Sequence, residues 1–345
     1  MKGDSTNKGL DCINQARDVW SVFKNSTVAI TGATGLIGAH FVGKLIRLNE
    51  DASLDCHIVL FVRNIEKAVD LFGKKPFLSF VEWDMDRELS CQERSIDYFL
   101  HAASPTSSQG FLDSPVEVID ATYFAAKNVL DFSTRANVRK ILFLSTMEVY
   151  GEVDHEVSES EFGSLDPMVL RNCYPESKRL AECLCASFAR EYGTHSCVLR
   201  LAQTFGPGVS KDDKRVFAEF ARNAIDSQDI VLFSDGKKRN SYLSLDDAIE
   251  AIAFVFVFGA DGEAYNAANN ATYCSIFEMA EMVLRNFGGT DSRVLFGNDE
   301  QRANSFRKSS DLRLDTTKLE SLGWKPTQGL EEMYRLMIGS WEDKS

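Results

Sequence analysis

Thr31-Gly-Ala-Thr-Gly-Leu-Ile-Gly38 is the stretch from which the rest of the chain is read. An apolar run, Val28–Thr31, precedes it, and Leu36–Leu48 behind it has helical spacing of apolar residues. In that strand–loop–helix context the glycines have separate tasks. Gly32 permits the tight turn, Gly35 lets backbone N–H groups approach a pyrophosphate, and Gly38 allows the helix to pack closely on the strand. Thr34, Leu36 and Ile37 complete the cradle, and the helix N-terminus adds partial positive charge. The loop is therefore expected to hold a dinucleotide.

Outward from the loop, short apolar runs alternate with helical stretches. His57–Val62, Phe80–Glu82, Tyr98–His101, Lys140–Ser145 and Cys197–Leu201 read as buried strands. Val116–Asn137 and Glu176–Tyr192 read as helices. Strands that are apolar on both faces belong to a parallel sheet covered on both sides. The expected fold is α/β, a Rossmann-type doubly wound parallel sheet. After about residue 205 the rhythm changes, with helices expected at 216–227, 245–257, 275–287 and 329–342 and short strands between them. The expected organisation is an N-terminal helical extension (1–26), a dinucleotide-binding domain carrying the catalytic residues (27–204), and a smaller substrate lobe interleaved with the sheet (205–345).

The composition narrows the function. A formal net charge of −13 over 345 residues argues against nucleic acid or an anionic membrane as the main partner, yet leaves room for an anionic substrate held by a few local arginines. Eight cysteines lie without C-x-x-C spacing, and Cys183 and Cys185 point to different helix faces, which suits neither a disulfide nor a metal site. Met1–Gly9 has no apolar signal core, and Ala251–Gly259 falls short of the about 18 apolar residues of a membrane span. A cytoplasmic protein without metal is the expectation.

The end of the second strand bears on the cofactor. A carboxylate there would bind a ribose 2′-hydroxyl; this chain has Arg63-Asn64, with Lys67 a turn later. Arginine suits a 2′-phosphate, so NADP is favoured over NAD, unless Arg63 stacks on the adenine or faces solvent. Asp84 and Met85 after the third strand are candidate adenine contacts, and Ala102 and Ala103 are small where the cofactor passes. Tyr174-Pro-Glu-Ser-Lys178 places a tyrosine and a lysine on one helix face. An ammonium and a nicotinamide charge favour the phenolate, making Tyr174 a base near neutral pH. Thr146, ending the fifth strand, is placed to share the substrate oxygen.

These motifs resemble the extended short-chain dehydrogenases/reductases of the NAD-dependent epimerase/dehydratase family. The likeness runs from Thr27 to Leu322-Gly-Trp-Lys-Pro326. Within the family it is nearest the UDP-glucuronate decarboxylases, through His101-Ala-Ala-Ser-Pro105, Ser145-Thr-Met-Glu-Val-Tyr-Gly151, Cys173-Tyr-Pro-Glu-Ser-Lys-Arg179 and Thr204-Phe-Gly-Pro207. The resemblance implies a nucleotide-diphosphate sugar oxidised transiently at C4, with Tyr174 taking the proton and Lys178 holding the phenolate and the nicotinamide ribose. It makes Glu148 a further catalytic candidate, the alternative being a structural acceptor for nearby backbone. Met147 stands where 4,6-dehydratases carry an aspartate that protonates the leaving hydroxyl, which turns the expectation away from dehydration. Ser104, Gln203, Arg215, Arg239 and Arg307 are the implied substrate contacts, with Arg313 an alternative to Arg307. Arg63 and Gln203 depart from the acidic residue and the asparagine usual at these positions. The family's homodimer, through a four-helix bundle, is expected here too; Cys183, Leu184 and Phe188 form its apolar face or else belong to the core. Two other readings remain at this point: an NADPH-dependent carbonyl reductase of the dihydroflavonol-reductase kind, and a catalytically silent NAD(P)-sensing protein.

Overall fold

The six apolar runs and one further strand pair side by side, all parallel, in the computed structural model, which describes residues 16–90, 95–107, 109–297 and 311–342. The strands are β1 (Thr27–Thr31), β2 (His57–Val62), β3 (Leu78–Glu82), β4 (Tyr98–His101), β5 (Lys140–Thr146), β6 (Ser196–Leu201) and β7 (Ala264–Ala267). Their spatial order is β3-β2-β1-β4-β5-β6-β7. The order reverses between β1 and β4, which pair as Val28↔Tyr98 through Thr31↔His101. In such a sheet, ligands bind outside the carboxyl ends of the strands at the reversal.

The helices that cover the sheet are α1 (Leu36–Ala52), α2 (Ile65–Phe72), α3 (Pro115–Arg135), α4 (Cys173–Tyr192) and α6 (Leu245–Phe258); α5 (Val216–Ile225), α7 (Ile276–Phe287) and α8 (Leu330–Glu342) lie in the smaller lobe. Alternate residues of each strand feed opposite layers, as the two-residue side-chain period requires. Val28 and Ile30 of β1, with Leu142 and Leu144 of β5, pack with α1 and α6. Ala29, Ile141 and Phe143 pack with α3 and α4. A 3₁₀ turn (Ala16–Phe23) closes the first layer: Phe23 is fully buried, edge-on to Phe41, Tyr98 and Phe256 at 5.3–5.8 Å between ring centres. Trp20 Nε1 donates to Glu250 at 2.8 Å. The first part of the expected N-terminal extension, residues 1–15, lies outside the described residues.

Beyond β6 the chain passes through Ala202 into a short strand, Gln203–Phe205, paired parallel with 239–244, which pairs antiparallel with 269–275. Around this small sheet α5, α7 and α8 bury Phe205, Phe217, Tyr242 and Tyr334 together. α6 and β7 come from the same C-terminal stretch yet join the central sheet. β7 carries few strand-type residues and sits on an edge, which is why its sequence reads as an unremarkable part of the second lobe. No described helix is long and apolar enough to cross a membrane.

Candidate active site

The Gly-rich loop leaves β1 at the reversal point. Gly32 has φ +69°, and a β-carbon there would lie 2.5 Å from the Ala102 carbonyl carbon and 2.6 Å from the Ala103 nitrogen. Its lack of a side chain thus lets the β1 and β4 ends touch. A β-carbon on Gly38 would run into the Gly32 carbonyl. Gly35 is the N-cap of α1, with no side-chain cap and no acid in the first turn. The opening amides of α1 are left for an anion rather than satisfied internally. Thr31 Oγ1 and His101 Nδ1 share a hydrogen bond of 2.6 Å beneath the loop, and Thr31 Oγ1 accepts from Ala103 N at 3.4 Å. Burial, aided by the charge of Lys178, lowers the His101 pKa to about 3, so it stays neutral.

Arg63 is exposed at the end of β2. Asn64 caps α2 by accepting from Lys67 N at 2.8 Å, a structural task beside any cofactor contact. Asp84 accepts from Met85 N, and Asn128 on α3 donates to the Met85 carbonyl at 3.1 Å, so the turn after β3 is fixed. Loop, Arg63, Asp84 and Ala102–Ala103 all lie at carboxyl ends of strands, and together they fit a bound dinucleotide.

On the other side of the reversal, α4 starts at Cys173, three residues ahead of the expected Glu176, so Tyr174 sits in its first turn. The Thr146 hydroxyl hydrogen-bonds the Tyr174 phenol. The phenol's pKa is driven above its ordinary value by burial and by the charge of Glu148. Lys178 is buried too, donating to the Leu144 carbonyl at 2.8 Å, with its Nζ 6.0 Å from the Tyr174 ring centre. Burial pulls the ammonium down to about 8, against the pull of Glu182. Without a further positive charge nearby, this pair favours phenol over phenolate.

The structure also shows residues that the sequence reading passed over. Arg171 Nη2 sits against the Glu148 carboxylate, donating to Oε1 at 3.1 Å and lying 2.9 Å from Oε2. Glu148 is thus half of an ion pair. The Arg171 guanidinium also lies 4.8 Å from the Phe111 ring, and Phe111 stacks on Tyr174 at 4.5 Å and 8°. An arginine three residues before the tyrosine was a readable signal, whereas Phe111 comes from a single-turn helix, Gly110–Asp113, without any.

The expected substrate contacts are scattered around the opening to the second lobe. Ser104 bonds the Pro105 carbonyl, and Gln203 begins the small-sheet strand half-buried. Arg215 precedes α5 but is engaged by its neighbour Asp213, with Nη2–Oδ2 at 2.6 Å. Arg239 pairs with Glu278 at 2.9 Å, and Arg239 and Arg313 both lie against the Tyr273 ring, at 5.1 and 5.7 Å. Arg307 falls outside the described residues. No group of three or more metal-ligating side chains occurs among the described residues.

The sequence profile of the NAD dependent epimerase/dehydratase family matches residues 28–268, from β1 through β7. The chain belongs to that family. Its curated relatives include UDP-glucuronic acid decarboxylase 5 of Arabidopsis thaliana, 28% identical over 91% of this chain and 91% of that protein. UDP-glucuronic acid decarboxylase 1 of Xenopus tropicalis is 27% identical over 88% of this chain and 69% of that protein. Among solved structures, UDP-glucose 4-epimerase of Thermotoga maritima superposes with a TM-score of 0.76 at 22% identity, covering 92% of this chain and 99% of that one. The dTDP-glucose 4,6-dehydratase of Bacillus anthracis does so with 0.75 at 19%, covering 92% and 97%. Family membership accords with the Gly-rich loop, the Tyr174/Lys178 pair and the parallel order of the sheet.

Proposed function

We propose that this family member decarboxylates a nucleotide-diphosphate sugar acid of the UDP-glucuronate kind, after transient oxidation of its C4 hydroxyl. The single observation that carries this reading is the Glu148–Arg171 pair beside Thr146 and Tyr174. Bound NAD(P) would accept the C4 hydride and return it. Tyr174 takes the C4 hydroxyl proton, Thr146 orients the same oxygen, and Lys178 stabilises the phenolate. The 4-keto sugar is a 3-oxo acid with respect to its C6 carboxylate; loss of carbon dioxide from it needs no base, leaves the C5–C6 electron pair in a C4 enolate, and is followed by protonation of C5 from water before the hydride returns to C4. Glu148, gripped by a guanidinium, is a poor proton abstractor, which fits a route without C5–H removal. Arg171 supplies the cation that a second carboxylate needs to enter beside Glu148, and departure of neutral carbon dioxide relieves the like-charge contact. Met147 gives no proton for a dehydration.

Glu148→Gln is accordingly expected to slow carbon–carbon cleavage by about tenfold to a hundredfold, the size of a partly screened like-charge contact. C4 oxidation should survive, so a 4-keto sugar accumulates and is detected by mass. An unchanged rate would remove Glu148 from the chemistry. Incubation with UDP-, dTDP-, GDP- and CDP-sugars, followed by mass analysis, tests the whole reading: carbon dioxide released from UDP-glucuronate supports it, and no turnover of any nucleotide sugar overturns it.

Arg63 supports NADP as the cofactor, through charge-assisted bonds to a 2′-phosphate. Arg63→Ser should weaken NADP about tenfold and leave NAD unchanged, the loss of one exposed charge-assisted contact; fluorescence titration measures both. Equal effects on both cofactors would assign Arg63 to adenine stacking or to solvent. A homodimer through α3 and α4 belongs to the same proposal, with a revised face. Phe188 and Leu184 pack into the core beside Ala181 and Cys185, whereas Val116, Ile119, Phe124 and Leu180 are exposed on these two helices. A cytoplasmic location is also proposed; the six described cysteines are all free thiols.

A further inference from the structure

A second charge cluster lies on the far side of Lys178 from Thr146 and Glu148, and the chemistry above makes no use of it. Tyr174, Lys178 and Glu182 follow one another in steps of four along α4, so they share a face. Glu182 accepts from the Ser145 hydroxyl at the end of β5 and from Arg200 on β6, whose Nη2 approaches to 2.7 Å and whose Nε lies 3.1 Å from both carboxylate oxygens. Both side chains are nearly enclosed, 10% and 5% exposed. Arg200 also donates to the Tyr150 hydroxyl at 2.8 Å and the Glu159 carbonyl at 3.0 Å, and Tyr150 donates to Asn266 on β7 at 2.7 Å. The carboxylate is therefore tied to three strands and cannot swing away.

A buried ion pair of this kind contributes little net stability, because desolvation offsets the attraction. Its effect on Lys178 is more definite. The groups that face Lys178 are few. On α4 they are Tyr174, Glu182 and the protonated Cys185; from β4 comes His101, held neutral; from β5 come the Leu144 carbonyl and the Phe143 ring, 4.5 Å from Nζ. Among the described residues, Glu182 is the one carboxylate in this set. Burial works to strip the proton from Lys178, and Glu182 works to keep it.

We propose that Glu182 is a positioning residue that keeps Lys178 an ammonium beside Tyr174, with Ser145 and Arg200 fixing the carboxylate for that purpose. The proposal rests on the reading of Tyr174 and Lys178 as the catalytic pair. A neutral amine cannot stabilise a phenolate, so the charge on Glu182 governs how far toward alkaline pH the pair remains competent.

The test titrates Lys178 directly, in the full chain without cofactor. Lysine is labelled with ¹³C at Cε, and the Lys178 signal is identified by its absence in Lys178→Arg. Its titration midpoint should fall by about one pH unit in Glu182→Gln, as expected on losing one close opposite charge. The alkaline limb of kcat/KM should move down with it, and Glu182→Asp, which keeps the charge, should restore both. Glu182→Gln leaves Arg200 buried without its partner and so risks misfolding. The double variant Glu182→Gln, Arg200→Met removes both charges and is read in the same way. A midpoint that does not move in a folded variant overturns the proposal, as does an activity loss that is equal at every pH. Retained activity in Tyr174→Phe would instead sink the catalytic reading, and the titration result would be unaffected.

Discussion

Replacing Tyr174 with phenylalanine is expected to lower kcat by about 10³-fold, within the range removed with a general acid–base, while cofactor affinity stays within error. The substitution deletes one oxygen. The aromatic ring keeps its stacking on Phe111 at 4.5 Å, so the surrounding packing is undisturbed. What disappears is the acceptor for the C4 hydroxyl proton and the partner of the Thr146 hydroxyl. Neither Lys178, whose Nζ is taken by the Leu144 carbonyl, nor Glu148, gripped by Arg171, is free to replace it. Steady-state rates, with dinucleotide binding followed by fluorescence, separate the two effects. A variant that kept most of its activity would show that another group takes the proton.

The second large effect is expected at the loop. Gly32→Ala places a methyl group 2.5 Å from the Ala102 carbonyl carbon, at φ +69°. Left-handed backbone costs an L-residue roughly 1–2 kcal/mol. The steric conflict is worse, because the opposing atoms are backbone and cannot rotate aside. Relief requires the loop to lift from the β4 end, the surface the cofactor lies against. Dinucleotide affinity should fall by about 100-fold, roughly 2.7 kcal/mol, and Tm should fall as well. Calorimetric titration and thermal unfolding would show both. Gly43→Ala is the natural control, since a β-carbon there meets nothing within 4 Å; it should bind cofactor as the unaltered chain does.

How much of this was legible in the residues follows from what kind of signal each feature leaves. The strands β1, β2, β4, β5 and β6 are dense apolar runs, and they were placed to within a residue. The Gly-rich loop and the Tyr174/Lys178 pair have spacings set by local geometry, turn and helix respectively, so they too could be read directly. β7 escaped because an edge strand containing Ala264, Asn266 and Ala267 needs few β-formers. Contacts that depend on the meeting of distant segments left no local trace. Arg171 reaches Glu148 across 23 residues, and Arg239 reaches Glu278 across 39. The two alternatives for Leu184 and Phe188 could not be separated for the same reason; they pack into the core because the sheet lies on their side of α4.

Both the tyrosine's task and the order of chemical events meet in the fate of one hydrogen, the one on C4 of the sugar. UDP-glucuronate carrying deuterium at C4 distinguishes the possibilities in a single incubation. Oxidation at C4 predicts slowed turnover, release of carbon dioxide, and a UDP-pentose that still carries deuterium at C4. Turnover at the unlabelled rate, or a product whose C4 deuterium has been lost to solvent, would contradict it.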